Sequence, residues 1–202
     1  MSDHTSQYGQ DRFILDIYKD RVGFFIEAGA HNGVFQSNTY PLEQKGWKGL
    51  LVEPNPIFRD NLKLTRPGSI IEECALVSFD YKEATIKGSF FNDDPSGGCT
   101  ESHNTTIEVP AKTLTSLLKK HNINEIDFFS LDVEGFEIEV LKGLDFNRYS
   151  PKYILFEEHW GNNHDGTGKY YSENYINFFT IRNYTLFHKF TDSHLLYKHN
   201  NA

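Results

Sequence analysis

Val22-Gly-Phe-Phe-Ile-Glu-Ala-Gly-Ala-His-Asn-Gly33 is the stretch that decides the fold. Its first half is a short apolar run, as expected of a strand buried on both faces of a sheet. Its second half is a turn bearing Gly29 and Gly33, and glycine lets a backbone pass where a Cβ would clash. A buried strand that opens straight into such a turn starts a βα unit.

The same unit recurs on either side. Residues 10–18 place Phe13, Ile14 and Ile17 on one side of a first helix. Ser37 reads as the N-cap of a helix running to about Lys45. Residues 49–53 form a second strand, 56–64 a helix with Pro56 in its first turn, and 70–77 a third strand. Residues 83–91 and 105–109 read as a hairpin or extension. They flank the turn-rich Asn92-Asp-Asp-Pro-Ser-Gly-Gly-Cys-Thr-Glu101, which predicts a lid or substrate insertion around 83–110. Thr113 caps a short helix carrying Leu114, Leu117 and Leu118. Residues 126–132 are the fourth strand, 134–141 the helix after it, and 153–157 the fifth strand. Beyond a Gly/Asn/His-rich loop, residues 175–182 are helical. Residues 185–190 and 194–198 then close as an antiparallel pair, because only a tight Thr191-Asp-Ser193 turn joins them. The expected architecture is one α/β domain over residues 1–202, a Rossmann-like doubly wound, mainly parallel sheet with an antiparallel C-terminal strand.

Composition narrows the function. A chain of 202 residues suffices for one domain with a substantial core. The net charge of −8, without a Lys/Arg cluster, argues against a nucleic-acid partner, which needs a basic face. Two cysteines, Cys74 and Cys99, exclude a disulfide scaffold and a Cys-rich zinc site, and suit a reducing cytoplasm. The N-terminus shows no apolar signal-peptide core, and no apolar run reaches membrane-spanning length. Asn104-Thr-Thr106 and Asn183-Tyr-Thr185 match the glycosylation pattern, which without secretion is a chance match.

The chemistry gathers at one edge. The first, second, fourth and fifth strands each end in an acid: Glu27, Glu53, Asp132 and Glu157. Ligands of an open parallel sheet bind beyond the carboxyl ends of its strands. Four acids there favour a cationic or polyhydroxyl ligand, and S-adenosylmethionine carries a sulfonium, an ammonium and a ribose diol. The Glu27-Ala-Gly-Ala30 turn lacks the G-x-G-x-x-G spacing of a dinucleotide site, so a sulfonium nucleoside fits it better than NAD. Glu53, followed by Pro54, stands about 20 residues beyond that turn, where an acid can hold ribose hydroxyls. A solvated acid before a proline turn is the structural alternative. Amides near Ser37, Asn38 and Thr39 offer a place for the cofactor carboxylate. Cys74 and Ala75, at the end of the third strand, offer a small wall for adenine, or are simply strand packing. Asp132 and Glu134 stand where the methyl and its acceptor would meet, or else cap the following helix. His159 is a candidate general base beside two acids, or a structural histidine. Trp160, Tyr170 and Tyr171 offer a flat wall for a sugar ring, or packing for the last helix. A divalent ion is compatible with such a rim, but the spacing requires none and no metal site is predicted.

At these motifs the chain resembles the FkbM family of methyltransferases. The matching text is Ser6-Gln-Tyr-Gly-Gln-Asp11, Phe25-Ile-Glu-Ala-Gly-Ala-His-Asn-Gly-Val34, Ser37-Asn-Thr39, Leu42-Glu-Gln-Lys-Gly-Trp-Lys-Gly-Leu-Leu-Val-Glu-Pro-Asn-Pro56 and Ile126-Asp-Phe-Phe-Ser-Leu-Asp-Val-Glu-Gly-Phe-Glu-Ile-Glu-Val-Leu-Lys-Gly143. The resemblance implies an S-adenosylmethionine-dependent enzyme that O-methylates a hydroxyl of a sugar or natural product. It carries cofactor binding onto Glu27, Gly29, Glu53 and the end of the third strand, and an active-site role onto Asp132 and Glu134. Residues 90–101 and the tail after His159 match no family pattern, and substrate choice is expected there. The expected partner is thus a small-molecule or glycan acceptor, with neither nucleic acid nor membrane involved. Two other readings compete: a non-catalytic S-adenosylmethionine-binding module and an NAD-dependent oxidoreductase.

Overall fold

The computed structural model describes residues 5–88, 106–158 and 172–202. Its elements run α1 (Gln10–Tyr18), β1 (Phe24–Ala28), α2 (Tyr40–Gln44), β2 (Lys48–Val52), a 3-10 turn (Pro56–Phe58), α3 (Arg59–Thr65), β3 (Ile70–Glu72), β4 (Ala75–Leu76), β5 (Thr85–Gly88) and β6 (Ile107–Lys112). They continue with α4 (Leu114–Lys120), β7 (Phe128–Leu131), α5 (Glu137–Lys142), β8 (Tyr153–Glu157), α6 (Ser172–Thr180), β9 (Tyr184–Lys189) and β10 (His194–His199).

Seven strands form one sheet in the order β3-β2-β1-β7-β8-β10-β9. Neighbours from β3 to β8 are parallel, and β10 runs antiparallel to both β8 and β9. This is the mainly parallel sheet with an antiparallel C-terminal strand that the apolar runs predict. The chain winds outward one way from β1 and returns on its other side at β7, so the switch point lies between these two strands.

Both faces of the sheet are covered, and strand periodicity shows how. Ile26, Leu50, Phe129 and Ile154 point into one core with Leu117 of α4, Leu141 of α5 and Phe179 of α6. Their sequence neighbours Phe25, Leu51, Phe128 and Leu155 point into the other, with Ile14 of α1, Leu42 of α2 and Leu62 of α3. Successive side chains alternate between faces, so an unbroken apolar run is what a doubly covered strand requires. Burial of each such side chain contributes about 1.5–3 kcal/mol.

Three expectations shift. The third strand is not continuous over 70–77. β3 pairs with β2, but β4 pairs with β6 in a separate sheet of order β4-β6-β5. Both halves stay buried or half-buried, so the apolar run hides the change of partner. At the break, Glu73 turns its carboxylate to Arg59. The helix expected from 134 begins at Glu137, because Glu134 and Gly135 take left-handed φ values of 57° and 98°. The helix after Ser37 starts at Tyr40, with the Ser37 hydroxyl accepting from the Thr39 and Tyr40 amides at 3.2 and 3.0 Å. The expected hairpin is present as β5 and β6, antiparallel from Thr85↔Pro110 to Gly88↔Ile107. The expected lid over 92–101 lies outside the described residues, as do His159, Trp160, Tyr170 and Tyr171.

Candidate active site

The strand ends are flush. Ala28 lies in register with Val52 and with Leu131, and Leu131 with Phe156. Above this level, beside the switch point, opens a cavity of about 520 Å³. That is ample for a nucleoside ligand, since small-molecule sites span about 300–1,000 Å³. Glu27, Gly29, Ala30, Asn38, Glu53 and Pro54 line it from the first two βα turns. Cys74 and Ala75, then Asp132 and Glu134, close the other sides. Gly33 and Thr39 do not reach it.

The two glycines of the first turn do different work. A Cβ on Gly29, at φ 84°, would stand 1.8 Å from the backbone oxygen of Asp132. The missing side chain therefore lets the β1 and β7 turns meet at the cavity. A Cβ on Gly33 would stand 2.8 Å from both Arg66 Cγ and Leu62 Cδ2. Gly33 thus serves packing against α3 and Arg66, away from the ligand space.

Glu27 is already occupied. Its carboxylate accepts from the Asn38 amide at 2.9 Å, the Thr39 hydroxyl at 2.8 Å and the Ser37 hydroxyl at 2.9 Å. Arg66, with no exposed surface, lies 3.3 Å from it. The same guanidinium donates to Glu43 at 2.8 Å, the Gly33 carbonyl at 2.9 Å and the Thr39 hydroxyl at 2.8 Å. A buried charge persists only when paired and hydrogen-bonded, and this cluster meets that condition. The expected carboxylate-binding amides are consequently spent: Asn38 N on Glu27, and Thr39 N on Ser37. Asn38 still presents a side chain to the cavity. Its Nδ2 donates to Ser130 Oγ at 3.0 Å, and its buried Oδ1 has no partner among the described residues.

Glu53 is disposed differently. One carboxylate oxygen accepts from the His31 amide and the other from the Asn55 amide, each at 2.8 Å. A carboxylate offers about four lone-pair sites, so both oxygens keep capacity toward the cavity. Burial pushes its pKa up to about 7, against the pull of the two amides.

Asp132 and Glu157 form a pair. Burial first, and then the hydrogen bond and charge of Glu157, hold Asp132 well above the usual carboxylate range, with Glu134 and Glu137 adding smaller repulsions. Glu137 shapes the turn between Asp132 and α5 by accepting from the Val133 and Gly135 amides, both at 3.0 Å. On its other side Glu157 meets His194, whose Nε2 stands 3.4 Å from Oε1. Among the described residues, no three His, Cys, Asp or Glu side chains converge as a metal site. Nor is any described helix long and apolar enough to cross a membrane.

The model of the methyltransferase FkbM domain matches residues 27–190, most of the chain. The chain belongs to the FkbM methyltransferase family. No curated protein matches it. Among solved structures, it is similar to a protein assigned as a type 11 methyltransferase from Sulfolobus solfataricus, at 14% identity and a TM-score of 0.47, over 98% of this chain and 95% of that one. It is also similar to a TehB-like SAM-dependent methyltransferase from Corynebacterium glutamicum, at 12% identity and a TM-score of 0.49, over 96% of this chain and 89% of that one.

Sequence reasoning overlooked several parts of this FkbM methyltransferase site. Arg66 follows a helix as an ordinary surface arginine would, and only the fold shows it beneath the first turn. Phe35, Phe58 and Phe136 line the cavity from three separate segments that follow strand ends. Phe58 packs its ring 4.1 Å from that of His31. An aromatic residue directly inside a βα turn was the available signal. Ile86 and Lys87 bring the β5–β6 hairpin to the same space. Cys74 is buried and its thiol is pushed up to about 12, chiefly by burial, so it serves as wall and not as nucleophile.

Proposed function

We propose that this methyltransferase uses S-adenosylmethionine and methylates a hydroxyl of a sugar or another small polyhydroxyl acceptor. Glu53 carries the reading. It is a buried carboxylate at the second strand end, held by two backbone amides, with both oxygens still able to accept from the cavity side. A vicinal diol is the donor set that matches it. The buried Oδ1 of Asn38 suits an ammonium group, and Cys74 with Ala75 gives adenine a small apolar wall. When bound, S-adenosylmethionine supplies an already activated methyl. The protein then has to align the acceptor and take its proton.

Asp132 stands at the strand end beside the switch point and is the group placed to meet that hydroxyl. Phe35 and Phe136, at the cavity wall and partly exposed, give an acceptor ring an apolar face. The β5–β6 hairpin, as part of an insertion in a single domain, completes the acceptor side. The scarcity of cysteine fits a cytoplasmic enzyme acting on a small molecule or glycan. The test is incubation with S-adenosylmethionine labelled in its methyl group and a panel of sugars, polyols and glycosides. Label in an O-methyl product supports the reading. Binding without transfer to any acceptor would favour a non-catalytic module, and NAD binding in place of the sulfonium nucleoside would refute the cofactor assignment.

A further inference from the structure

His194 begins β10, and because β10 runs antiparallel to β8 its first residue lies at the same rim as the last residues of the parallel strands. His194 and Glu157 are register partners, and Asp132 and Glu157 follow the Leu131↔Phe156 pair on the adjoining strands. Three strand termini thus set an aspartate, a glutamate and a histidine side by side, from cavity wall toward the far edge of the sheet. The histidine is 9% exposed and its Nδ1 lies 2.9 Å from Thr191 Oγ1 and 3.0 Å from Ser193 Oγ. In the tautomer whose Nδ1–H donates to Ser193 Oγ, Nε2 presents a lone pair to Glu157.

We propose that Asp132 and Glu157 act as a coupled carboxyl pair, that the ionised pair accepts the proton of the acceptor hydroxyl and holds it shared, and that His194 relays that proton outward. The proposal rests on the methyl-transfer reading above. The step balances as follows. The acceptor O–H bond breaks while an O–CH3 bond forms and the S–CH3 bond breaks. The sulfonium becomes a neutral thioether. The released proton joins the ionised pair, which then holds one between its two carboxyls, and it passes by way of Glu157 to His194 Nε2 and on to water.

The physical reason for a pair is basicity. A lone aspartate near pH 4 is too weak a base for an alcohol, whereas a carboxylate crowded by a second one is stronger. Asp132 is held high by burial and by Glu157, in keeping with this. Glu134 and Glu137 face the pair from the β7–α5 turn and α5. Around His194 stand Glu157, the Tyr8 ring at 4.8 Å, and the Thr191 and Ser193 hydroxyls. From β9, Lys189 bonds Asp192 at 2.7 Å and acts on Glu158. Asp132 meets the substrate; Glu157 and His194 are positioning and relay residues.

The test is an NMR titration of the whole protein labelled in its carboxyl carbons and imidazole nitrogens. In the wild type, the Asp132 and Glu157 resonances should each move in two shared steps, and the Glu157 resonance should also follow His194. In Glu157→Gln, Asp132 should titrate in a single step, about one pH unit or more lower. In His194→Gln, the step shared with the imidazole should vanish, which keeps the idea testable if the first variant does not fold. Methyl transfer to whichever acceptor the panel selects should lose its acid limb at lower pH in Glu157→Gln, with unchanged affinity for S-adenosylhomocysteine. Asp132 titrating alone, at the same pH in wild type and variant, would overturn the pair. Coupled titration without any methyl transfer would instead overturn the transferase reading beneath it.

Discussion

Ligand affinity should depend on the protonation of Glu53. Burial raises its pKa to about 7, whereas a ribose diol would donate to the ionised form. Binding must then expel a proton whenever the pH lies below that value. Apparent affinity scales with the ionised fraction, so it should fall by about tenfold, or 1.4 kcal/mol, between pH 8 and pH 6. Near pH 7 roughly half a proton should leave per ligand bound. Replacing Glu53→Gln removes the charge but keeps the size. It should weaken S-adenosylhomocysteine by roughly 1.5–3 kcal/mol, the range for hydrogen bonds to charged groups, and abolish the pH dependence. Isothermal titration in buffers of different ionisation enthalpy reads affinity and proton count together. Affinity that is flat from pH 6 to 8 in the wild type, or unchanged in a folded Glu53→Gln, would refute the assignment of the ribose to this carboxylate.

Stability offers an independent reading of the same group. The folded pKa of Glu53 lies above its ordinary value of 4.5, so the folded state binds more protons and ligand-free stability falls as pH rises from about 4.5 through about 7. The loss should approach 3 kcal/mol, roughly the pKa difference times 1.36. Glu53→Gln should therefore gain stability over wild type at pH 8 but not at pH 4, as followed by urea unfolding. Arg66→Ala leaves Glu27 and Glu43 buried without their cation, and should cost about 3–5 kcal/mol in the same assay. Gly29→Ala forces a Cβ to 1.8 Å from a carbonyl at a left-handed φ. It should cost roughly 2–4 kcal/mol and eliminate S-adenosylhomocysteine binding, by calorimetry, through displacement of the first turn.

The sheet was legible in the sequence because each of its central strands is buried on both faces and must be apolar throughout. Glu27, Glu53, Asp132 and Glu157 mark where those strands stop, so the rim could be located as well. Their separate roles could not, because each depends on what packs beside it. Arg66 satisfies Glu27 from 39 positions away in the chain, which leaves Glu53 with its two amides as the carboxylate open to a ligand. In the sequence, His159 is the nearest histidine after the fifth strand and so the candidate general base. The described histidine beside Glu157 is His194, brought there by antiparallel pairing of β10 with β8. Its strand was expected, but pairing against β8 is a property of the assembled sheet. Glu134 shows the local limit. Its helix-forming neighbours suggested a first turn, yet Glu137 draws in the Val133 and Gly135 amides and the helix waits until that turn is made.

A crystal structure of the protein grown with S-adenosylhomocysteine tests the central claim most directly. The account predicts the nucleoside in the cavity over the β1, β2 and β7 strand ends, both ribose hydroxyls within hydrogen-bond distance of Glu53, and the thioether sulfur facing Asp132. A nucleoside bound elsewhere, or Glu53 left with only the His31 and Asn55 amides as partners while ligand fills the site, would contradict it.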